Sequence, residues 1–110
     1  MKPKSVKELF RRLPEKFDPE AAEGLMAVYQ FDLSGSEGGQ YHLVVENGTC
    51  AVREGTHPDP HVTFSMSGDD CLGVMSGRLE GQSIFMSGRL RVTGDLGLAM
   101  QLKSLFPAVH

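Results

Sequence analysis

Tryptophan is absent from this 110-residue sequence, cysteine occurs twice, and no apolar run approaches the roughly 20 residues of a membrane-spanning helix. Two cysteines, Cys50 and Cys71, cannot build a disulfide framework and are expected to be buried thiols in a reducing compartment. The net charge is only −3, from 11 Lys and Arg against 14 Asp and Glu. This balance argues against a nucleic-acid-binding module, which needs clustered basic residues.

The composition provides enough apolar residues for one core. Apolar residues make up 40% of the chain and charged residues 23%, which is typical of a globular domain and too apolar for intrinsic disorder. A chain of this size can bury about two thirds of its unfolded surface. Residues 1–110 are therefore predicted to form a single domain. The first residues lack the apolar segment of a secretory signal, so a cytoplasmic location is expected.

The first half of the chain predicts one helix followed by a β meander. A capping box begins at Ser5, apolar residues at helical spacing follow it, and Pro14 is expected to kink or end the helix. Asp18-Pro19 predicts a second, short helical turn. Alternating apolar residues then predict strands over 25–33, 41–46, 49–53 and 62–67. Asn47-Gly48 is a strong hairpin signal, which pairs residue 45 with 50 and residue 42 with 53.

The period of the apolar residues changes from 2 to 3.6 after the fourth strand. Asp69 and Asp70 suit the start of a helix, along which Leu72, Met75 and Leu79 form one stripe. Gly73 within it indicates a close packing contact. The remaining elements are expected to be a short helix over 82–86, a charged edge strand over 89–93 and a last helix that begins at residue 95 and ends before residue 107.

No pattern in the sequence predicts catalysis or a metal site. His57 and His61 flank a Pro-Asp-Pro loop, but no further ligands stand at recognisable spacing, so they are interpreted as solvated loop histidines. The hairpin register places Cys50 opposite Val45 and away from His42, so a Cys–His nucleophile is not formed. Neither a cofactor nor a catalytic residue is predicted.

The last third of the chain is more apolar than one packing face requires. Apolar residues cover most of the circumference of the last helix, whereas a surface helix usually carries a stripe about 100° wide. Flexible methionines, which suit irregular apolar partners, also fall in this part of the chain. Two interpretations are open at this point: a helix that is simply buried, or a helix that contacts an additional apolar partner.

Three segments resemble a known family. Ser87-Gly88-Arg89-Leu90-Arg91-Val92-Thr93-Gly94-Asp95 and Leu98-Ala99-Met100-Gln101-Leu102 are similar to the strand and the helix motifs of the sterol carrier protein-2 domain, the SCP-2-like lipid-transfer family. Tyr29-Gln30-Phe31-Asp32-Leu33-Ser34-Gly35 looks like the first strand of that family. The order of the predicted elements agrees as well, so the resemblance covers nearly the whole chain.

The resemblance implies an α+β fold with a five-stranded, mostly antiparallel sheet covered by helices, and an apolar tunnel between the sheet and the helices. It also implies non-enzymatic binding and transfer of a fatty acyl chain, an acyl-CoA, a sterol or a similar lipid. The absence of a peroxisomal tripeptide at the C-terminus favours a cytoplasmic member. Carried over by position, the residues expected to line the tunnel are Met75, Leu79, Ile84, Phe85, Met86, Leu98, Met100, Leu102, Leu105 and Phe106.

Simple energetics agree with a lipid ligand. Burying about 14 methylenes at roughly 0.8 kcal/mol each gives an upper limit near 11 kcal/mol before ordering costs. An empty cavity of about 300 Å³ would cost about 7 kcal/mol, so without ligand the last helix is expected to collapse onto the sheet or to loosen. The alternative is the same fold with a filled core, which docks a protein partner or dimerises. Transient membrane contact is a further expectation.

Overall fold

The computed structural model describes residues 3–107 and arranges them as a sheet with helices on one face. Most element bounds lie close to those predicted. In chain order the elements are α1 Val6–Lys16, β1 Ala27–Ser34, β2 Gly39–Glu46, β3 Thr49–Glu54, β4 Val62–Ser67, α2 Gly68–Met75, α3 Gly81–Met86, β5 Arg91–Gly94 and α4 Leu96–Leu105.

The five strands form one sheet in the order β3-β2-β1-β4-β5. β1 and β4 are parallel, and the three other pairings are antiparallel. The predicted hairpin is confirmed, since Val45 pairs with Cys50 and His42 pairs with Arg53. Asn47 adopts a φ of 51°, a left-handed conformation that asparagine tolerates better than most residues. The predicted fold class, α+β with a mostly antiparallel five-stranded sheet, is thus confirmed.

Alternation along the strands gives the sheet one apolar face, which carries the core. Its buried residues are Ala27, Tyr29, Phe31, Leu33, Tyr41, Leu43, Val45, Val62, Phe64 and Met66. Helix α1 packs on this face through Phe10, whose ring stacks on Tyr41 at 4.3 Å and meets Phe31 edge-on at 5.1 Å. Such aromatic contacts add to the free energy gained from apolar burial.

The sequence predicts the start of α1 and the turn that follows it better than it predicts the end of the helix. The Ser5 cap is as expected, since Ser5 Oγ accepts the Glu8 N–H at 3.1 Å, but the Glu8 carboxylate accepts the Lys4 N–H at 3.3 Å and not the Ser5 N–H of a capping box. However, α1 continues through Pro14 to Lys16, because a proline in the last turn removes only one backbone hydrogen bond while four buried residues hold the helix to the sheet. The segment after Asp18 forms the predicted short turn, with Asp18 Oδ1 accepting the Glu20 N–H at 3.0 Å and Gly24 closing the turn at a φ of 73°.

The helix after β4 is shorter than predicted. It ends at Met75, so Leu79 lies outside it, and the chain turns at Gly77, whose φ is 84°. The predicted close contact at Gly73 is confirmed, because a Cβ there would lie 2.6 Å from Leu79 Cδ1. The fifth strand begins at Arg91, two residues later than expected, since the preceding residues fold back onto α3.

The second face of the sheet is covered by the segment 55–61, which connects β3 to β4 across β2 and β1. Buried Gln30 holds this connection: its Oε1 accepts the His57 N–H at 2.9 Å and its Nε2 donates to the Gly55 carbonyl at 3.3 Å. His42 Nδ1 donates to the same carbonyl at 3.0 Å. His61 Nδ1 accepts the Val28 N–H at 2.9 Å.

His57 and His61 lie in the loop, as the sequence predicts, but both also make structural contacts. His61 is exposed, yet its ring supplies the acceptor for a backbone amide of β1, and the half-buried ring of His57 lies edge-on to His42 at 5.3 Å. The two rings accept backbone N–H groups, His61 that of Val28 and His57 that of Asp59, and so help to hold the crossing loop. No group of three or more metal-ligating side chains occurs within residues 3–107.

We predict that Gln30→Leu lowers the free energy of unfolding by about 1–3 kcal/mol, because the partly buried His57 N–H would lose its acceptor and the Gly55 carbonyl would keep only His42 as a side-chain donor. Gln40→Leu is the matched control, since Gln40 lies on the same face of the sheet but is exposed. Urea denaturation measures both. Equal stability losses in the two variants would show that Gln30 does not hold the connection.

Candidate functional site

The junction between β5 and α4 fixes the position of the last helix. Gly94 has a φ of 103°, and a Cβ at this position would collide with the His61 carbonyl oxygen. The Asp95 N–H donates to that same oxygen at 3.0 Å, and Asp95 Oδ1 accepts the Leu98 N–H at 3.1 Å as the cap of α4. The Gly-Asp pair thus ends the edge strand and begins the helix at one fixed place above the sheet.

One stripe of α4 packs on the apolar face of the sheet. Leu102 and Leu105 are buried and Leu98 is half-buried, a spacing of four and three residues that places them on one side of the helix. The Tyr29 hydroxyl donates to the Leu98 carbonyl at 2.9 Å. Burial, reinforced by the charge of Asp95, raises the pKa of Tyr29 to about 12, so this hydroxyl stays protonated as a donor.

The end of α4 is held by the N-terminal part of the chain. The Asp18 N–H donates to the Leu105 carbonyl at 2.8 Å, and the buried Phe106 ring lies 5.7 Å from the ring of Phe17. These contacts and the Tyr29 hydrogen bond are specific polar and aromatic ties between α4 and the rest of the fold.

The α2–α3 region adds further apolar residues to the same core. Met75 and Ile84 are buried, and Leu79 is half-buried against the cluster. The Ile84 carbonyl accepts the N–H groups of Arg89 and Leu90 at 2.8 and 3.1 Å, which folds the chain back on α3 before β5. Seven of the ten predicted lining residues therefore face the core: Met75, Leu79, Ile84, Leu98, Leu102, Leu105 and Phe106.

The other three predicted residues point to solvent. Phe85 is 46% exposed, Met86 is 77% exposed and Met100 is 83% exposed. Leu96, which lies one turn before Met100, is 57% exposed as well and was missing from the predicted set. The spacing of four residues between Leu96 and Met100 was the signal that could have identified it. The apolar residues of α4 are thus divided between an inner and an outer stripe.

Three surface grooves occur in residues 3–107, and none of the ten predicted residues line them. A groove of about 660 Å³ lies between α1 and β3, and one of about 590 Å³ lies between the segment 19–26 and the β2–β3 turn. A third, of about 420 Å³, lies beside Arg89 and Arg91. The tunnel itself stays a prediction, and the inner apolar side chains of α4, Leu102 and Leu105, are buried in the core.

An ion pair beside this site was not predicted from the sequence. Asp70, expected only to support the start of α2, is buried and accepts from Arg89, with Nε to Oδ2 at 3.2 Å. Arg89 is consequently tied to α2 and is not a free edge charge, whereas Arg91 is exposed. Two residues separated by 19 positions carry no local signal for such a pair.

The two thiols are poorly suited to nucleophilic chemistry. Burial raises the pKa of the Cys50 thiol to about 11 and that of the Cys71 thiol to about 12. Both groups are thus protonated at neutral pH, and the thiolate is the reactive form. Within the described range, no helix combines the length and apolar character required to cross a bilayer.

Comparison with known proteins identifies the family. The sequence profile of the SCP-2 sterol transfer family matches residues 6–107, so the chain belongs to this family. Among solved structures, sterol carrier protein domain 2 of Helicoverpa armigera superposes with a TM-score of 0.72 at 27% identity, over 94% of this chain and 87% of that one. Palmitated SCP2L2 from Aedes aegypti gives a TM-score of 0.72 at 21% identity, over 100% and 98%.

A curated relative is much longer than this chain. Hydroxysteroid dehydrogenase-like protein 2 of Mus musculus is 36% identical over 107 residues, which make up 96% of this chain and 22% of that protein. The chain thus spans less than a quarter of that relative. The similarity concerns the SCP-2 part alone.

We predict that Gly94→Ala destabilises the fold more than Gly88→Ala does. Both glycines have positive φ, so both variants lose about 1–2 kcal/mol through backbone strain. Only at Gly94 would the new Cβ also meet a backbone oxygen, whereas the space around Gly88 is open. Thermal unfolding of the two variants measures the difference. Equal melting temperatures would contradict the packing described for the β5–α4 junction.

We predict slow thiol labelling at pH 8. With a pKa of about 11, Cys50 is about 0.1% thiolate at that pH, so its reaction with a disulfide reagent should be at least about a hundredfold slower than that of free cysteine. The rate should rise about tenfold per pH unit between pH 7 and 10. The urea-unfolded chain, in which both thiols react rapidly, is the control. A fast phase in the folded protein would contradict this assignment.

Proposed function

We propose that the chain binds a long-chain lipid between the apolar face of the sheet and helices α3 and α4, and carries it without chemical change. The observation that supports this proposal is the double apolar character of α4: one stripe rests on the sheet and a second stripe is exposed to solvent. A helix that serves only to cover a core needs one apolar stripe. Membership of a lipid-transfer family and the palmitated neighbour from Aedes aegypti support the same proposal.

Binding requires α4 to separate from the sheet. The seven inward-facing predicted residues now contact the core directly, so a ligand must displace some of these contacts and the Tyr29–Leu98 hydrogen bond. Opening a site of about 300 Å³ costs about 7 kcal/mol, and burial of a C16 chain offsets it with up to about 11 kcal/mol. The replacement of protein contacts by ligand contacts is therefore favourable for long acyl chains and unfavourable for short ones.

The proposed ligand class is a fatty acyl chain, an acyl-CoA or a sterol-like molecule. Carriage needs no metal, cofactor or catalytic group, in agreement with the protonated thiols. A single domain over 1–110 and a cytoplasmic location remain predictions of the sequence.

A second candidate is an interaction module with a permanently filled core. The direct packing of Leu102 and Leu105 on the sheet favours it, because such a core needs no ligand to be stable. Native mass spectrometry of freshly purified protein separates the two candidates. Co-purified lipid supports the carrier, and a lipid-free dimer that takes up no fatty acid supports the interaction module.

We predict that palmitate raises the melting temperature. At free palmitate 100-fold above Kd, mass action adds about 2.7 kcal/mol to the free energy of unfolding, which corresponds to a shift of about 10 °C for a chain of this size. Differential scanning calorimetry measures the shift, with butyrate as the short-chain control. No shift with any of several long-chain ligands would contradict the carrier proposal.

We predict that Leu98→Trp weakens palmitate binding at least about tenfold, because the larger ring occupies the space between α4 and the sheet. Leu25→Trp is the matched control, since Leu25 is also half-buried but lies outside the predicted site. Isothermal titration with palmitate measures both affinities. The same affinity in both variants, with unfolding temperatures within a few degrees of the unsubstituted chain, would place the ligand elsewhere.

A further inference from the structure

The groove between α1 and β3 runs along an open edge of the sheet. We call it the α1–β3 groove, and the residues that matter here are Lys7, Phe10 and Arg11 of α1, Tyr41 of β2, and Val52 and Glu54 of β3. Strand β3 pairs with β2 alone, so its second edge carries no neighbouring strand within residues 3–107. None of the ten residues predicted to contact lipid lines this groove, which is therefore separate from the proposed lipid site.

Main-chain groups of β3 are unpaired along this groove. In an antiparallel pair, consecutive residues point their N–H and C=O groups alternately toward and away from the partner strand. The Gly55 N–H donates to the Gln40 carbonyl at 2.7 Å, which fixes the alternation at this end of the β2–β3 ladder. Arg53 therefore points its N–H and C=O groups toward β2, whereas Val52 and Glu54 point theirs away from the sheet. Both of these outward residues line the groove.

The floor of the groove contains a tyrosine whose hydroxyl lacks an acceptor. Tyr41 is only 8% exposed, and its ring stacks on that of Phe10. Its hydroxyl makes no hydrogen bond within residues 3–107 and opens into the groove. Burial, followed by the carboxylates of Glu54 and Glu37, raises the pKa of Tyr41, so the hydroxyl stays protonated at neutral pH. A ligand in the groove can supply the acceptor that this donor lacks.

The helix wall of the groove is positively charged. Lys7 and Arg11 lie one turn apart on α1, are exposed and make no salt bridge within residues 3–107. Two acidic residues also line the groove, but Glu8 is paired with Arg12 at 3.6 Å, which leaves Glu54 on the opposite wall. Two free cations thus face one free carboxylate, a balance that favours a partner with acidic side chains.

We propose that the α1–β3 groove binds an extended acidic segment of a partner protein, which adds a strand to β3. In this complex the outward main-chain groups of Val52 and Glu54 pair with the main chain of the segment, the mode by which several domains bind peptides at a sheet edge. An apolar side chain of the segment lies beside Val52 and covers the Phe10 ring. Its acidic side chains form charge-assisted hydrogen bonds with Lys7 and Arg11.

A second copy of this chain is a poorer partner for the same edge. If the β3 strands of two copies paired around a twofold axis perpendicular to the sheet, both α1 helices would lie side by side on one face. Lys7 and Arg11 of one copy would then approach the same two residues of the other. Like charges across an interface lower affinity, whereas an acidic segment is attracted by these side chains.

The test is a titration of the full chain, labelled with ¹⁵N, with a synthetic peptide that can add to β3. The probe is acetyl-Thr-Glu-Thr-Val-Thr-Glu-Thr-amide, in which valine and both glutamates lie on one face of an extended strand. We expect the amides of Val52 and Glu54 to gain protection from hydrogen exchange, whereas the amide of Arg53, which already faces β2, should change little. The same peptide with lysine in place of glutamate should bind at least about tenfold more weakly.

Matched variants separate the main-chain contact from the charge. Glu54→Pro removes an outward N–H and should weaken binding of the acidic peptide about tenfold, whereas Glu54→Thr, which keeps that N–H, should not weaken it. Lys7→Glu/Arg11→Glu should weaken binding at least about tenfold. Arg78→Glu/Lys103→Glu makes the same change in net charge at exposed positions outside the groove and should leave the affinity within about twofold of the original.

The hydroxyl has a test of its own. Tyr41→Phe keeps the stacked ring and removes the donor, so it should weaken binding of the acidic peptide about fivefold. Melting temperatures of all variants show whether the fold is intact. If Glu54→Pro lowers the melting temperature, exchange protection of the Val52 and Glu54 amides in the unsubstituted chain still decides whether a strand is added.

Several results would overturn the proposal: no protection at the Val52 and Glu54 amides, equal affinity for the acidic and the lysine peptides, or equal affinity of the two Glu54 variants. A dimer in sedimentation analysis that Glu54→Pro dissociates would also overturn it, because a second copy then occupies the edge. Palmitate affinity of the same variants should be unchanged, so failure of peptide binding leaves the carrier proposal intact and failure of palmitate binding leaves the groove intact.

Discussion

The parallel pairing of β1 with β4 is the constraint on which the rest of the structure depends. Because β3 lies at the far edge of the sheet, its connection to β4 must cross two strands, and it does so over the face that carries Gln30 and His42. Those buried polar side chains satisfy the backbone of the crossing segment. The opposite face is left to the helices, and the large apolar side chains that the strands bury there form one core cluster with residues of α1, α2, α3 and α4.

The way in which helix α4 is attached to the sheet matters most for the proposed function. Its start is fixed by Gly94 and Asp95, its middle by the Tyr29 hydroxyl and its end by Asp18 and Phe17. Few polar contacts hold it between these points, so apolar packing carries most of its attachment. Apolar packing is non-directional, and a lipid chain can replace it with contacts of similar strength. A helix held in this way can be stable on the sheet and can also make room for a ligand.

Local chemistry explains which features the sequence predicts correctly. The Ser5 cap of α1, the Asn47-Gly48 turn and the alternation of the strands are short-range signals, and each has the predicted structure. The end of α2 depends on the left-handed turn at Gly77, and the Asp70–Arg89 pair joins distant residues, so neither follows from spacing. The sequence also did not show which of the ten predicted lining residues face the core and which are exposed. A six-residue helix such as α3 has too few turns to show which side is buried, and α4 is apolar on both sides.

The central claim is that a lipid chain enters between the sheet and helices α3 and α4. Nuclear Overhauser contacts between ¹³C-labelled palmitate and the methyl groups of the chain test this claim most directly. We expect contacts from the middle of the acyl chain to the buried methyl groups of Ile84 and Leu102. We also expect the amides of the five strands to keep their protection from hydrogen exchange. Contacts confined to the exposed methyls of Met26, or to those lining the groove between α1 and β3, would contradict it.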